Sequence, residues 1–257
     1  MPAIVLAGER PGGNALAREL NVPAGVLVEV AGKTCLERVI ATLRASGRIA
    51  GGILVGPARS VLDSTPLFET LLHAGDFAWR MPAAGPSASA LGAAQALGRF
   101  PVLLTAADHA LLTPALVDDF CARAERVCAD FVVGLVPHAL VHAAWPESRR
   151  TVLRFRDGAC CGANLYLLRT SRALSALEFW QNVEAERKRP WRIARRLGIG
   201  TLARYLAGRL DRTSAFAALS RASGADIGWV TIDNPRAAVD VDSSADRALA
   251  EHILRRE

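Results

Sequence analysis

Ile4-Val5-Leu6-Ala7-Gly8-Glu9-Arg10-Pro11-Gly12-Gly13 takes an apolar strand without a pause into a glycine-rich turn that carries a cation. Glycines at 8, 12 and 13 allow backbone conformations closed to other residues, so successive N–H groups can point into one concavity and hold an anion. Arg10 adds positive charge there. Asn14-Ala15-Leu16-Ala17-Arg18-Glu19-Leu20 follows as a short helical pattern, whose N-terminal dipole favours a polyphosphate beside the loop. The stretch predicts the first strand-loop-helix unit of an α/β fold with phosphate chemistry at the loop. The alternative is a turn that merely lets the strand reverse. Two familiar glycine motifs fail here: GxxxxGK[ST] run from Gly8 finds Asn14 where lysine is required, Gly32-Lys33-Thr34 has Leu27 in place of the earlier glycine, and GxGxxG is absent.

A chain of 257 residues that is 51% hydrophobic fits one domain, residues 1–257, better than two. No run approaches the roughly 18 apolar residues needed to cross a bilayer, and the N-terminus lacks the flank and cleavage site of a signal peptide, which predicts a cytoplasmic protein. None of the five cysteines forms CxxC; Cys121 and Cys128, seven apart, read as core positions on one helix face. The net charge of +6 is local. Eight cations and no acid lie between Arg187 and Arg209, and without them the chain is mildly acidic, so no nucleic-acid surface is implied. For Arg187 to Leu210 two readings stand: a basic amphipathic segment lying on an anionic inner membrane surface, or a helical pair packed on the domain with its arginines solvated or paired. This basic helical insertion is placed at about 178–212.

Along the chain, Thr34 to Arg44 shows apolar residues at i, i+3, i+4 and i+7 behind a Thr34/Glu37 capping box. Gly51 to Gly56 reads as a buried strand and Val61 to His73 as a connecting helix. Ser87 or Ser89 can cap the alanine-rich helix that follows Gly85-Pro86. Pro101 to Thr105 is a strand that delivers Asp108 to its carboxyl end, where ligands bind in open parallel sheets. Thr113 and Pro114 then read as N-cap and first residue of a helix. Further strands are read at Phe131 to Val136, Arg154 to Arg156, Cys161 to Leu168 and Trp229 to Ile232, with a C-terminal helix after Asp246. The expected fold is a Rossmann-like three-layer α/β sandwich with a mainly parallel mixed sheet.

Leu6-Ala7-Gly8-Glu9-Arg10-Pro11-Gly12-Gly13 resembles, in divergent form, the opening signature of the NTP transferase superfamily. Asp108 ahead of Thr113-Pro114 and Val241-Asp242-Ser243-Ser244-Ala245-Asp246-Arg247 resemble two further motifs of that superfamily, in the same order. Molybdenum-cofactor guanylyltransferase and the sugar- or polyol-phosphate cytidylyltransferases are members. The family's lysine falls at Gly25, just before Val26 to Lys33, where a strand and turn are expected. The resemblance implies a nucleotide site of Leu6, Ala7, Gly8, Arg10, Gly12, Gly13, Gly25, Ser87, Ser89 and Asp108. It implies Mg²⁺ on Asp108 and Asp242, with Asp240 as the alternative register, and catalytic roles for Arg10, Asp108 and Asp242. Acceptor contacts fall at Gly162, Asn164 and Arg149, with Arg150 beside them.

The function so implied is transfer of an NMP group from an NTP, with CTP preferred, to a phosphorylated or lipid-linked acceptor, with release of pyrophosphate. Two rivals remain. A glycosyltransferase of related architecture would offer Asp-x-Asp where this chain has Asp108-His109-Ala110, and a degenerate nucleotide- or lipid-binding relative would explain Gly25.

Overall fold

A computed structural model describes residues 1–9, 12–186 and 196–256. In chain order the strands are β1 (Ala3–Leu6), β2 (Glu29–Val30), β3 (Lys33–Thr34), β4 (Gly52–Val55), β5 (Phe77–Arg80), β6 (Val102–Ala106), β7 (Phe131–Pro137), β8 (Leu153–Phe155), β9 (Gly158–Leu168) and β10 (Ile227–Thr231). β2 and β3 form a small hairpin, and the others make one sheet of order β10-β7-β9-β6-β1-β4-β5, with β8 on β9. β1 pairs in parallel with β4 and β6, β4 with β5, and β7 with β10. β9 runs antiparallel to β6 and β7, so its first residues lie beside the carboxyl end of β7, where Cys160 faces Pro137.

Central β1 is covered on both sides, which is why Ala3-Ile4-Val5 reads as a continuous apolar run rather than an alternation. On one side Val5, Leu54 and Leu103 pack with Leu36, Val39 and Leu43 of helix Cys35–Ala45, Phe68 of helix Pro66–His73 and Phe120 of helix Pro114–Ala124. On the other, Ile4, Ile53 and Leu104 meet Ala90, Ala93 and Ala94 of helix Pro86–Leu97, Ala176 of helix Ala173–Ala185 and Phe216 of helix Arg212–Ser223. The alanines let helix Pro86–Leu97 approach the sheet closely. This is the three-layer arrangement read from the sequence.

A third cluster, of ten buried residues, includes Leu16, Val28, Val30, Cys35, Ala110, Leu111, Val239, Val241, Ala250 and Ile253. It joins the helix after the first loop, the β2–β3 hairpin, the turn after Asp108 and the C-terminal segment. Arg247 Nε donates to the Glu29 carbonyl across it at 2.7 Å.

Several local readings are corrected. Val26 to Lys33 is a 3₁₀ turn, Gly25–Leu27, followed by the hairpin, because Ala31 and Gly32 both take positive φ and close a two-residue turn. Val61 to His73 is two helices, Arg59–Ser64 and Pro66–His73, since Pro66 cannot continue the first and starts the second. Helix Pro114–Ala124 ends before Cys128, which is exposed, so only Cys121 of that pair is a core thiol. Neither Ser87 nor Ser89 caps: the helix begins at Pro86, and Gly85 is the N-cap without a side-chain bond. The Thr34/Glu37 capping box and the Thr113 cap with Pro114 form as read. β5 and the helices His138–Ala144 and Arg212–Ser223 carry no signal that was read in the sequence.

Candidate active site

The carboxyl ends of β1, β4 and β6 gather the candidate residues. Ala7 N donates to the Val55 carbonyl at 2.8 Å, and Ala107 N to the Leu6 carbonyl at 2.9 Å, so the first loop leaves the sheet between its two neighbours. Gly56, just past β4, makes this passage: it takes φ +95°, and a Cβ there would stand 2.7 Å from Gly8 N. Only glycine meets both conditions. On the opposite side of Gly8 lies Pro82, 3.0 Å from where a Cβ of Gly8 would be. The turn from Met81 to Gly85 is therefore brought against the glycine loop. Gly12 and Gly13 are exposed with positive φ, and Arg10 lies outside the described residues.

Gly25 is buried behind this loop. Its N–H donates to Glu9 Oε1 at 2.7 Å, and a Cβ would stand 2.7 Å from Asn14 Cγ. Asn14 is itself committed, accepting from Ala17 N at 3.0 Å as N-cap of the helix Ala15–Glu19. Where the family has a lysine, this chain has a close backbone approach that a carboxylate holds.

Both serines of the Gly85 turn have partners within the protein. Ser89 Oγ accepts from Ala83 N at 2.9 Å, fixing the loop that touches Gly8. Ser87 Oγ donates to Glu184 Oε1 at 2.5 Å, and Ser87 N to Glu184 Oε2 at 3.4 Å. Glu184, from helix Ala173–Ala185, thus supplies the anion at this helix N-terminus.

Asp108 follows β6 and is half-buried. Its carbonyl accepts from Val241 N at 3.1 Å, which seats the second acidic segment beside it. Val241 is buried, Asp240 is partly exposed and Asp242 is exposed. Asp240 accepts from Arg150 Nη1 at 2.6 Å and from Asn164 Nδ2 at 3.4 Å. Arg150, whose side chain is only 6% exposed, also bonds Asp246 with its other amino group. Burial first, then the carboxylates of Asp240 and Asp108, raise the Tyr166 hydroxyl above its ordinary value, so both acids act on one β9 side chain. Burial, with Asp108 adding to it, pushes the Cys35 thiol up to about 12, far from a nucleophilic thiolate.

His109 is buried, and burial pulls its imidazole down to about 4 against the opposing pull of Asp240 and of the Arg236 backbone. It is a neutral core group rather than a ligand-facing base. Among the described residues no three His, Cys, Asp or Glu side chains cluster closely enough to hold a metal by themselves.

The structure therefore joins Leu6, Ala7, Gly8, the Ser89-fixed turn, Asp108 and the Asp240–Asp242 segment, and connects Asn164 to them through Asp240. Asn164 sits at a β9 irregularity with φ +48°. Gly162 lies two residues earlier, and a Cβ there would meet nothing within 4 Å. Arg149 is exposed, whereas Arg150, read with it as a phosphate ligand, is consumed by Asp240 and Asp246. Gly56, Glu184 and Tyr166 were not singled out. Only Gly56 carried a signal, as the glycine that ends an apolar strand.

Residues 3–196 match the family described as the MobA-like NTP transferase domain. A hypothetical transferase structure from Thermus thermophilus is similar at 29% identity and TM-score 0.77, over 96% of this chain and 98% of that one. CMP:2-keto-3-deoxy-manno-octonic acid synthetase complexed with CTP shares the fold at 10% identity and TM-score 0.58, over 100% and 99%. So does 4-diphosphocytidyl-2C-methyl-D-erythritol synthase from Anaerococcus prevotii, at 14% and 0.59, over 99% and 96%. No curated protein sequence matches the chain. With its strand-end acid, glycine loop and three-layer sheet in the expected order, the chain belongs to the MobA-like NTP transferase family and is a nucleotidyltransferase.

Proposed function

We propose that the protein transfers an NMP group from an NTP, CTP in preference, to a phosphorylated small-molecule or lipid-linked acceptor, releasing pyrophosphate. The observation that carries this reading is the 3.1 Å bond from Val241 N to the Asp108 carbonyl. It sets a second acidic segment beside the strand-end acid, at the sheet edge from which the glycine loop emerges. An acceptor phosphate oxygen attacks the α-phosphorus in line, the bond between the α-phosphorus and its bridging oxygen to the β-phosphorus breaks, and pyrophosphate leaves into the glycine loop. No side-chain nucleophile is required; positioning and charge supply the catalysis.

Asp108 and Asp242 would offer carboxylate oxygens alone, a small all-oxygen donor set. That set fits Mg²⁺, which keeps waters and takes phosphate oxygens rather than a full protein cage. When bound, Mg²⁺ neutralises charge on the triphosphate. The chain's own part is to hold the acids: the backbone bond to Asp108 fixes the segment, and Arg150 fixes Asp240. The Ser89-held turn lies against Gly8 and would meet the base or ribose. Cytidine is favoured because two proteins of this fold are by description a CTP-bound synthetase and a diphosphocytidyl synthase.

Pyrophosphate release is measured with each of the four NTPs, with and without Mg²⁺, against phosphorylated polyols and sugars. Acceptor-dependent release, greatest with CTP, is expected. Glycosyl transfer from a UDP-sugar without pyrophosphate release overturns the reading.

A further inference from the structure

The helix Ile199–Leu206 is mounted the wrong way round for a helix of a soluble domain. Its inner side holds Tyr205, whose ring meets Phe155 of β8 edge-on at 6.3 Å and whose hydroxyl accepts from Arg154 N at 3.4 Å. Its outer side carries the apolar residues: Ile199 is 74% exposed, Leu202 36% and Leu206 77%. These positions, i, i+3 and i+7, lie on one stripe, so the exposure is one apolar face rather than scattered side chains. Contiguous apolar faces of this kind mark contact surfaces.

Arginines stand at both ends of the stripe. Arg196 and Arg209 are exposed just before and just after the helix, whereas Arg204, five positions past Ile199, lies on the opposite face beside Asp211. Two of them have acidic neighbours, Arg196 with Glu186 at 3.2 Å and Arg204 with Asp211 at 3.9 Å. At 43% and 53% side-chain exposure these pairs are worth little and leave the guanidinium groups available. Snorkelling arginines beside an apolar stripe match an interface that is anionic at its surface and hydrocarbon below.

We propose that the outer face of helix Ile199–Leu206 docks on an anionic lipid bilayer, with Ile199, Leu202 and Leu206 entering the headgroup boundary and Arg196 and Arg209 meeting lipid phosphates. A second copy of the chain fits less well, because a two-fold contact would bring a second set of the same arginines into one interface. A nucleic acid would satisfy the arginines but leave the apolar stripe in water. The docking face lies near the catalytic edge: helix Ile199–Leu206 contacts β8, and β8 pairs with the start of β9, which faces the carboxyl end of β7. The bilayer would therefore lie beside the end of the sheet that bears the site.

The full chain, without nucleotide, is sedimented with phosphatidylcholine vesicles and with vesicles containing about one third phosphatidylglycerol. Binding only to the anionic vesicles is expected, and it weakens as salt rises. Paired Ile199→Asp and Leu206→Asp changes lower partitioning at least about tenfold, and Arg209→Gln roughly fivefold. These positions are exposed, so an unchanged melting midpoint is expected, and the salt series on the unmodified chain stands without any variant. Four results overturn the proposal: no binding to anionic vesicles, equal binding to neutral ones, binding retained by the double aspartate variant, or a concentration-dependent dimer that Leu206→Asp dissolves. None of them bears on nucleotidyl transfer, which is read separately with soluble acceptors.

Discussion

Restoring the family's lysine by Gly25→Lys is expected to damage this protein, and Gly25→Ala isolates the reason. Gly25 does not adopt the left-handed conformation; what excludes a side chain is space. A Cβ would stand 2.7 Å from Asn14 Cγ, closer than real Cβ atoms come, and a tight 3.1 Å from Asn14 Cβ. Asn14 must then swing away, and its cap on Ala17 N is lost, at about 1 kcal/mol. Overpacking of the buried site adds about 1–3 kcal/mol, for a total near 3 kcal/mol. For a chain of this size that lowers Tm by roughly 6–12 °C. The 2.7 Å bond from Gly25 N to Glu9 ties the same displacement to the glycine loop, so nucleotide affinity falls with stability. Urea and thermal denaturation of Gly25→Ala, Asn14→Ala and the double variant make the check. If Asn14 is the obstacle, Gly25→Ala costs clearly less once Asn14 is alanine. Additive losses, or a Gly25→Lys protein that is as stable as the parent and turns over faster, would refute the reasoning.

Asp242→Ala should raise the Mg²⁺ concentration for half-maximal turnover at least about tenfold; the same rise from Asp240→Ala alone would refute that register. Arg150→Met should destabilise by about 2–4 kcal/mol in urea, because Asp240 and Asp246 are left as adjacent like charges; a parental midpoint would show that the pairs are not what fixes the segment. His109 links stability to pH. With its imidazole pushed down from 6.5 to about 4 in the fold, the unfolded chain binds the extra proton between those values, so stability falls as pH drops through that window and levels off below it. The loss is about 2–3 kcal/mol between about pH 7.5 and about pH 4.5, read from urea midpoints, and His109→Gln should remove most of it; an unchanged slope in the variant would refute the assignment.

The sheet was legible because its buried strands are short unbroken apolar runs and its helices carry the 3.6-residue period, with caps such as Thr34 and Thr113 at their starts. β5 was missed because Phe77-Ala78-Trp79-Arg80 is an edge strand half open to solvent, so only Phe77 is buried. Helix Arg212–Ser223 was missed because Ala215, Phe216 and Ala218 bury too little apolar surface to mark a stripe. The capping expectation at Ser87 and Ser89 failed on Pro86. Proline favours the first turn of a helix, and that preference moved the cap to Gly85 and freed both serines for other bonds.

In the site, what is local in sequence was readable and what is distant was not. Asp108 could be placed from the strand that precedes it. Arg150 could not, because its role comes from Asp240, ninety positions on, and Asp246, ninety-six on. Once those bonds are known, the paired reading of Arg149 and Arg150 as acceptor ligands divides. The Arg150 guanidinium is 6% exposed, and four of its five donors go to Ser148, Asp240 and Asp246, which keeps it from a substrate, whereas Arg149 is exposed. The cluster that includes Val28, Ala110, Val241 and Ile253 explains why such distant pieces meet reproducibly. It joins the β2–β3 hairpin, the turn after Asp108 and the C-terminal segment into one small core. A cavity made at Val241 should therefore loosen Asp108, which it holds through a backbone bond, as well as Asp240 and Asp242 on either side of it.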